Sequence, residues 1–224
     1  MGVYTMSDFI VTPSDYPWGA GRVFPEIVGS FINSDSTSNT SHTLTVPTHA
    51  EGDTLVAVLM WRHPAASITV PSGWNLHTGN LLPSMPFDQR LHIYTKIATS
   101  SEPANYTWSA ATAQRNCGLM VSVRRFMEIF NITEAYGNGT TATIATVKNR
   151  LNLTVFTWGY AATSGTESYS QNSDDGLLAQ ISDSPKAQAR MSGGYVNTET
   201  LVTSTHDATS GINDPNHGGI CIQM

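Results

Sequence analysis

Gly52-Asp53-Thr54-Leu55-Val56-Ala57-Val58-Leu59-Met60-Trp61 is the stretch that decides the fold class. From Thr54 to Trp61 it is apolar at almost every position, which marks a central strand covered on both faces or one whose outer face meets a partner. Similar short runs follow: Ile68-Thr69-Val70, Arg90 to Ala98, Tyr106-Thr107-Trp108 and Gly118 to Val123. Each is β-branched or aromatic, and the gaps between them hold Gly, Pro, Ser or Asn, the residues with which a sheet protein turns its chain. The expected fold is therefore all-β: a mainly antiparallel, jelly-roll-like β-sandwich with little helix. Its core is expected from Leu55, Ala57 and Leu59 or from their alternates Val56, Val58 and Met60.

Outward from this stretch, Glu26 to Ile32 and Thr43 to Val46 read as the first strands. Arg90 to Ala98 alternates, with Leu91, Ile93 and Ile97 on one face and His92, Tyr94, Lys96 and Ala98 on the other. Cys117, Leu119, Val121 and Val123 point inward. Met127 to Ile132 reads as a short helix or a crossover. Beyond it, strands are expected at Thr141 to Val147, Leu151 to Tyr160, Leu177 to Ile181, Gln188 to Val196, Thr200 to Thr205 and Gly219 to Gln223, with residues 161–185 as an exposed excursion. Asn149 to Trp158 replays the Gly52 strand and Gly218 to Met224 replays the Gly118 strand, which raises an internal duplication of 26–126 in 127–224. The second half lacks the Pro71-Ser72-Gly73-Trp74 and Glu102-Pro103-Ala104 turns, so a single sandwich domain over 26–224 is the preferred reading.

Residues 1–25 follow neither the strand nor the helix period and are rich in Pro, Gly and aromatics. They read as an extended N-terminal arm. Phe9, Tyr16, Trp18 and Phe24 have no core of their own there, so they are the expected interface residues, seated on a neighbouring subunit or on the surface of a larger particle. Met1 to Val11 carries no Lys or Arg and no long apolar run, so neither a signal peptide nor a membrane partner is expected.

Composition limits the partners. Only 12% of the residues are charged and the net charge is -6, which excludes nucleic acid as an expected partner, because phosphate contacts need clustered Lys and Arg. The single adjacent basic pair, Arg124-Arg125, reads as a strand end or an ion-pair donor. Five Asn-x-Ser/Thr matches, at Asn39, Asn105, Asn131, Asn138 and Asn152, are read as sheet and turn composition.

No catalytic, cofactor or metal residue is expected. His42, His49, His63, His77, His92, His206 and His217 are scattered, without the paired spacing that a metal or a general base needs. Asp174-Asp175-Gly176 reads as a turn, and Asp207 and Asp214 add no spaced acidic set for calcium. Cys117 and Cys221 read as small buried hydrophobes, with a disulfide between them left open. Trp61, Trp74 and Trp158 are expected in the core, Trp74 folding back from its Pro-Ser-Gly turn to plug one end of the sandwich.

The order of these motifs carries a resemblance. Gly52-Asp53 opening an apolar strand, Pro71-Ser72-Gly73-Trp74, Tyr94-x-Lys96-x-Ala98, Ser101-Glu102-Pro103-Ala104-x-Tyr106 and the closing Arg124-Arg125-Phe126 together resemble a β-sandwich domain of bacteriophage virion proteins. That family includes capsid decoration or cement proteins and tail-associated proteins. The resemblance implies a non-enzymatic structural protein, made in the host cytoplasm and placed on the capsid exterior, with the major capsid protein and its own copies in a homotrimer as partners and no cofactor. Its alternative is a tail-associated receptor- or carbohydrate-binding protein.

Overall fold

The computed structural model describes residues 25–35, 37–62, 67–82, 89–137, 141–145, 150–158, 169–171, 176–179, 190–198, 205–210 and 217–224. Phe9, Tyr16, Trp18 and Phe24 lie outside them. Sixteen strands and no helix occur among the described residues. The first eight are β1 (Glu26–Ser34), β2 (Asn39–Thr45), β3 (Thr54–Arg62), β4 (Ile68–Thr69), β5 (Asn75–Leu82), β6 (Gln89–Ile97), β7 (Asn105–Gln114) and β8 (Asn116–Arg124). The next eight are β9 (Asn131–Gly137), β10 (Thr141–Ala145), β11 (Arg150–Trp158), β12 (Tyr169–Gln171), β13 (Gly176–Ala179), β14 (Arg190–Thr198), β15 (Thr205–Ser210) and β16 (His217–Gln223).

All recorded pairings are antiparallel. They build four sheets. Sheet A runs β1-β8-β3-β6-β5, sheet B runs β2-β7-β4, sheet C runs β13-β14-β11-β16-β9, and sheet D runs β10-β15-β12. Strands 1, 8, 3 and 6 in one sheet and 2, 7 and 4 in the other form the interleaving of a jelly roll. β5 departs from that pattern by pairing with β6 at the edge of sheet A. Adding eight to each number of sheets A and B reproduces sheets C and D strand for strand.

The faces of β3 explain how the sheets stack. Leu55, Ala57, Leu59 and Trp61 join Leu44, Tyr94, Trp108 and Met120 in a core between sheets A and B. Val56, Val58 and Met60 join Leu119, Val121, Leu151, Leu153, Val155, Ile220 and Ile222 in a second core between sheets A and C. Sheet D lies on the other side of C, with β10 against β9 and β16 and Ile144 buried beneath it. The order is thus B-A-C-D, four layers where the sequence reading expects the two sheets of one sandwich. The physical reason is that a strand apolar on both faces must be covered twice, and the two alternatives for the core are both used.

A close approach holds A on C. A Cβ on Gly193 of β14 would sit 2.8 Å from Leu119 Cδ2 of β8, so only a glycine lets the leucine seat there. Burying eight such aliphatic side chains on the sheet A side contributes at roughly 1.5–3 kcal/mol each before chain entropy is subtracted.

Other sequence expectations are corrected by this arrangement. β8 is buried along both faces, Met120 and Ser122 as well as Leu119 and Val121. β5, β9 and β12 were not legible: Asn75-Leu76-His77-Thr78-Gly79-Asn80 has weak strand propensity, and its extended form comes from the ladder with β6. Met127 to Phe130 is neither strand nor helix but the crossover into β9. β15 begins at Thr205, where the expected strand ends.

Candidate functional site

The motif residues converge at the end of sheet A where β1 begins and β8 stops. Gly52, at φ +87°, turns the chain into β3, and its N–H donates to the Ala98 carbonyl at 2.9 Å. Asp53 is buried there. Its carboxylate accepts the Ala50 N–H at 2.7 Å and pairs with Arg124 Nε at 3.3 Å. These contacts tie the start of β3 to the ends of β6 and β8.

Glu102 is the centre of the site. Its side chain is 1% exposed, and it accepts hydrogen bonds from Lys96 Nζ, the Tyr106 hydroxyl, the Thr99 backbone N–H at 2.7 Å and Thr99 Oγ1 at 2.9 Å. Burial raises the carboxyl's pKa, but the bonds from Lys96, Tyr106 and Thr99 outweigh it and hold the group down at about 2. On Lys96, burial likewise lowers the pKa and is outweighed by the bond to Glu102, so the ammonium is held above its ordinary value. The pair is charged at neutral pH, and Lys96 Nζ also lies 5.7 Å from the centre of the Tyr106 ring.

Gly73 shapes the other wall. It sits at φ +84°, and a Cβ there would come within 3.0 Å of Lys96 Cε. The turn therefore needs glycine both for its left-handed backbone and for the lysine stem beneath it. Trp74 follows, buried as expected, with its ring 5.2 Å from Tyr106 in an edge-to-face arrangement and 5.2 Å from Trp108. Tyr94 completes the cluster at 5.9 Å from Trp108. The three turns named by the sequence thus form one unit in which an ion pair pins the Glu102 loop over an aromatic plug.

Around the corner on sheet A, a groove of about 320 Å³ is lined by Gly52, Thr54, Thr95, Ile97, Phe126 and Met127 among others. Its apolar rim is open to solvent: Ile97 is 70% and Met127 90% exposed. Arg125 turns the chain out of β8 in a left-handed conformation, φ +59°, uncommon for a residue with a Cβ. This turn leads into Phe126 and Met127.

The remaining sequence candidates stand apart. His42 is buried, with Nδ1 3.2 Å from Asp35 Oδ2. Burial raises the Asp35 carboxyl, while the His42 contact more than offsets it and leaves the group below its usual value. His49 contacts the Pro47 carbonyl at 2.8 Å. His92 is pushed down to about 4 by burial and by the charge of Arg90, so it is neutral near pH 7. Among the described residues no three His, Cys, Asp or Glu side chains gather as a metal would require. Cys117 and Cys221 are both buried and form no disulfide. Cys117 faces the A–C core, whereas the Cys221 thiol contacts Asn152 Oδ1 at 3.5 Å on a strand face outside that core. No helix among the described residues is long and apolar enough to cross a membrane.

The Glu102 cluster was named in the sequence only as a string of motifs; its convergence was not. The Asp35–His42 contact and the groove went unread, since nothing in residue spacing announces either. No family model, curated protein or solved structure matches the chain.

Proposed function

We propose that the chain is a non-enzymatic virion structural protein of a bacteriophage, a capsid decoration protein that reinforces contacts between capsomers. The observation that carries this reading is the outer face of sheet B. Ser41, Thr43, Thr45, Thr69, Asn105, Thr107, Ala111 and Ala113 are all exposed on it, and none is charged. Thr43 and Thr107 join across the strands at 2.8 Å, and Thr45 donates to Asn105 at 2.9 Å. Such a face is made of short side chains, two pairs of them already tied across the strands, and loses little side-chain freedom when another surface meets it. The motif order of Gly52 to Phe126 supports the same assignment through its resemblance to virion sandwich domains.

A carbohydrate-binding role in a tail would draw on open aromatic rings, but Trp61, Trp74 and Trp108 are spent in the A–B core. The proposal is tested by mixing purified protein with undecorated capsids and sedimenting the particles. Saturable attachment, with trimers in solution or on the particle, is the expected result. Attachment unaltered by Thr43→Lys and Thr107→Glu together would remove sheet B as the contact face. No attachment at all would overturn the assignment.

A further inference from the structure

At the end of sheet A opposite Asp53, where β3 stops and β6 starts, a group of nitrogens is buried without partners. Trp61 pairs across the ladder with Arg90, and Leu59 with His92. Leu59 and Trp61 line the A–B core, and residues directly opposite on neighbouring strands share a face, so Arg90 and His92 stand on that face too. Arg90 Nε, Trp61 Nε1 and His92 Nδ1 are each closed off from solvent and have no hydrogen-bond partner among the described residues. The His92 ring stacks on Tyr94, 6.1 Å between centres and 14° between planes, which fixes the plane of the imidazole. Such buried, unanswered polar atoms are rare in folded proteins and point to a bound group.

We propose that Arg90, Trp61 and His92 form a binding site for a small oxyanion, a phosphate or a carboxylate, with the Arg90 guanidinium as its charged anchor. Arg90 is half-buried, and among the described residues no carboxylate pairs with it. A guanidinium withdrawn from water without a counter-charge is costly. An oxyanion supplies what the group lacks: acceptor oxygens for the planar fork of the arginine and another for the indole N–H, which can only donate. The spacing suits one small ligand. Trp61 and Arg90 are ladder neighbours about 5 Å apart at the backbone, and His92 lies about 7 Å along the same strand, within reach of the long arginine side chain. In the tautomer that carries a proton on Nδ1, His92 adds a further donor. Burial and then the charge of Arg90 push the His92 pKa down to about 4, which fits a guanidinium and an imidazole that sense one another on this face. A single anchoring arginine suits one anion and not a polyanion, in keeping with the net charge of -6. The site does not depend on the proposed function.

The test titrates inorganic phosphate and, separately, acetate into the full chain at pH 7, against sodium chloride of matched ionic strength. Nuclear magnetic resonance follows the His92 ring, assigned by its loss in His92→Asn. Saturation by at least one of the two anions, with a Kd on the order of millimolar and no response to chloride, is the expected result. The anion that binds more tightly tells whether the site takes phosphate or carboxylate. Arg90→Gln should weaken binding about tenfold or more, because a charge-assisted bond is lost. Trp61→Phe keeps an aromatic ring in the core, removes the indole N–H and should weaken binding about threefold or more; it decides the matter should Arg90→Gln fail to fold. Saturation by neither anion would overturn the proposal. So would an affinity unchanged by either substitution in a folded variant.

Discussion

Glu102→Gln is the sharpest perturbation of the motif cluster. The carboxylate is almost wholly buried and held at about 2 instead of 4.5. At about 1.4 kcal/mol per pH unit this corresponds to about 3 kcal/mol of preference for the charged form in the folded state. The folded pKa is depressed, so the stabilisation is complete above about pH 4.5 and drains away as pH falls toward 2. Glutamine copies the shape of the protonated acid but leaves Lys96 facing a neutral amide. The variant should be less stable by about 3 kcal/mol at pH 7, and the difference should shrink to near zero by pH 2. Urea unfolding of both proteins at a series of pH values, followed by the fluorescence of the tryptophans beside the site, measures this difference. A gap that stays constant from pH 7 to pH 2 would refute the assignment of the ion pair as its source. A gap below about 0.5 kcal/mol at pH 7 would show that the cluster behaves like an exposed pair.

Trp108→Ala should cost about 3–5 kcal/mol, because the ring contacts Trp74 and Tyr94 in the A–B core and leaves a cavity that the sheets cannot close; thermal unfolding checks it. Gly73→Ala should cost about 1–2 kcal/mol through its left-handed backbone and the Lys96 stem, and measured in a Lys96→Ala background, which itself loses the ion pair to Glu102, its cost should fall to the backbone part alone. Gly193→Val should destabilise by about 1–3 kcal/mol by pushing Leu119 and separating sheets A and C, read as a lowered melting temperature with unchanged far-ultraviolet dichroism. Both thiols should resist a disulfide reagent at pH 8 in the folded protein and react in urea, since Cys117 and Cys221 are buried and burial pushes the Cys221 thiol up to about 12; rapid labelling of Cys221 in the native state would contradict the packing.

Periodicity and turn chemistry determined the all-β class, because an apolar run such as Thr54 to Trp61 punctuated by Gly52 and Pro71-Ser72-Gly73 has few ways to bury itself except as a strand. The burial of Trp61 and Trp74 was legible for the same reason. The replay of Thr54 to Trp61 in Leu151 to Trp158 was also visible in the sequence, and these strands occupy matching places in sheets A and C. Which face of β3 meets which sheet was not legible, since both faces are equally apolar and only long-range pairing assigns Val56 to one core and Leu55 to the other. The weak strands β5, β9 and β12 were invisible locally because their ladders, not their propensities, keep them extended. Glu102 shows the division most clearly. The string Glu-Pro-Ala-x-Tyr was readable as a turn, but its carboxylate's acidity arises from the hydrogen bonds of Lys96 six residues away, Tyr106 and Thr99, which outweigh the opposing effect of burial. A charge's environment is a property of three-dimensional neighbours, and only tertiary structure supplies those.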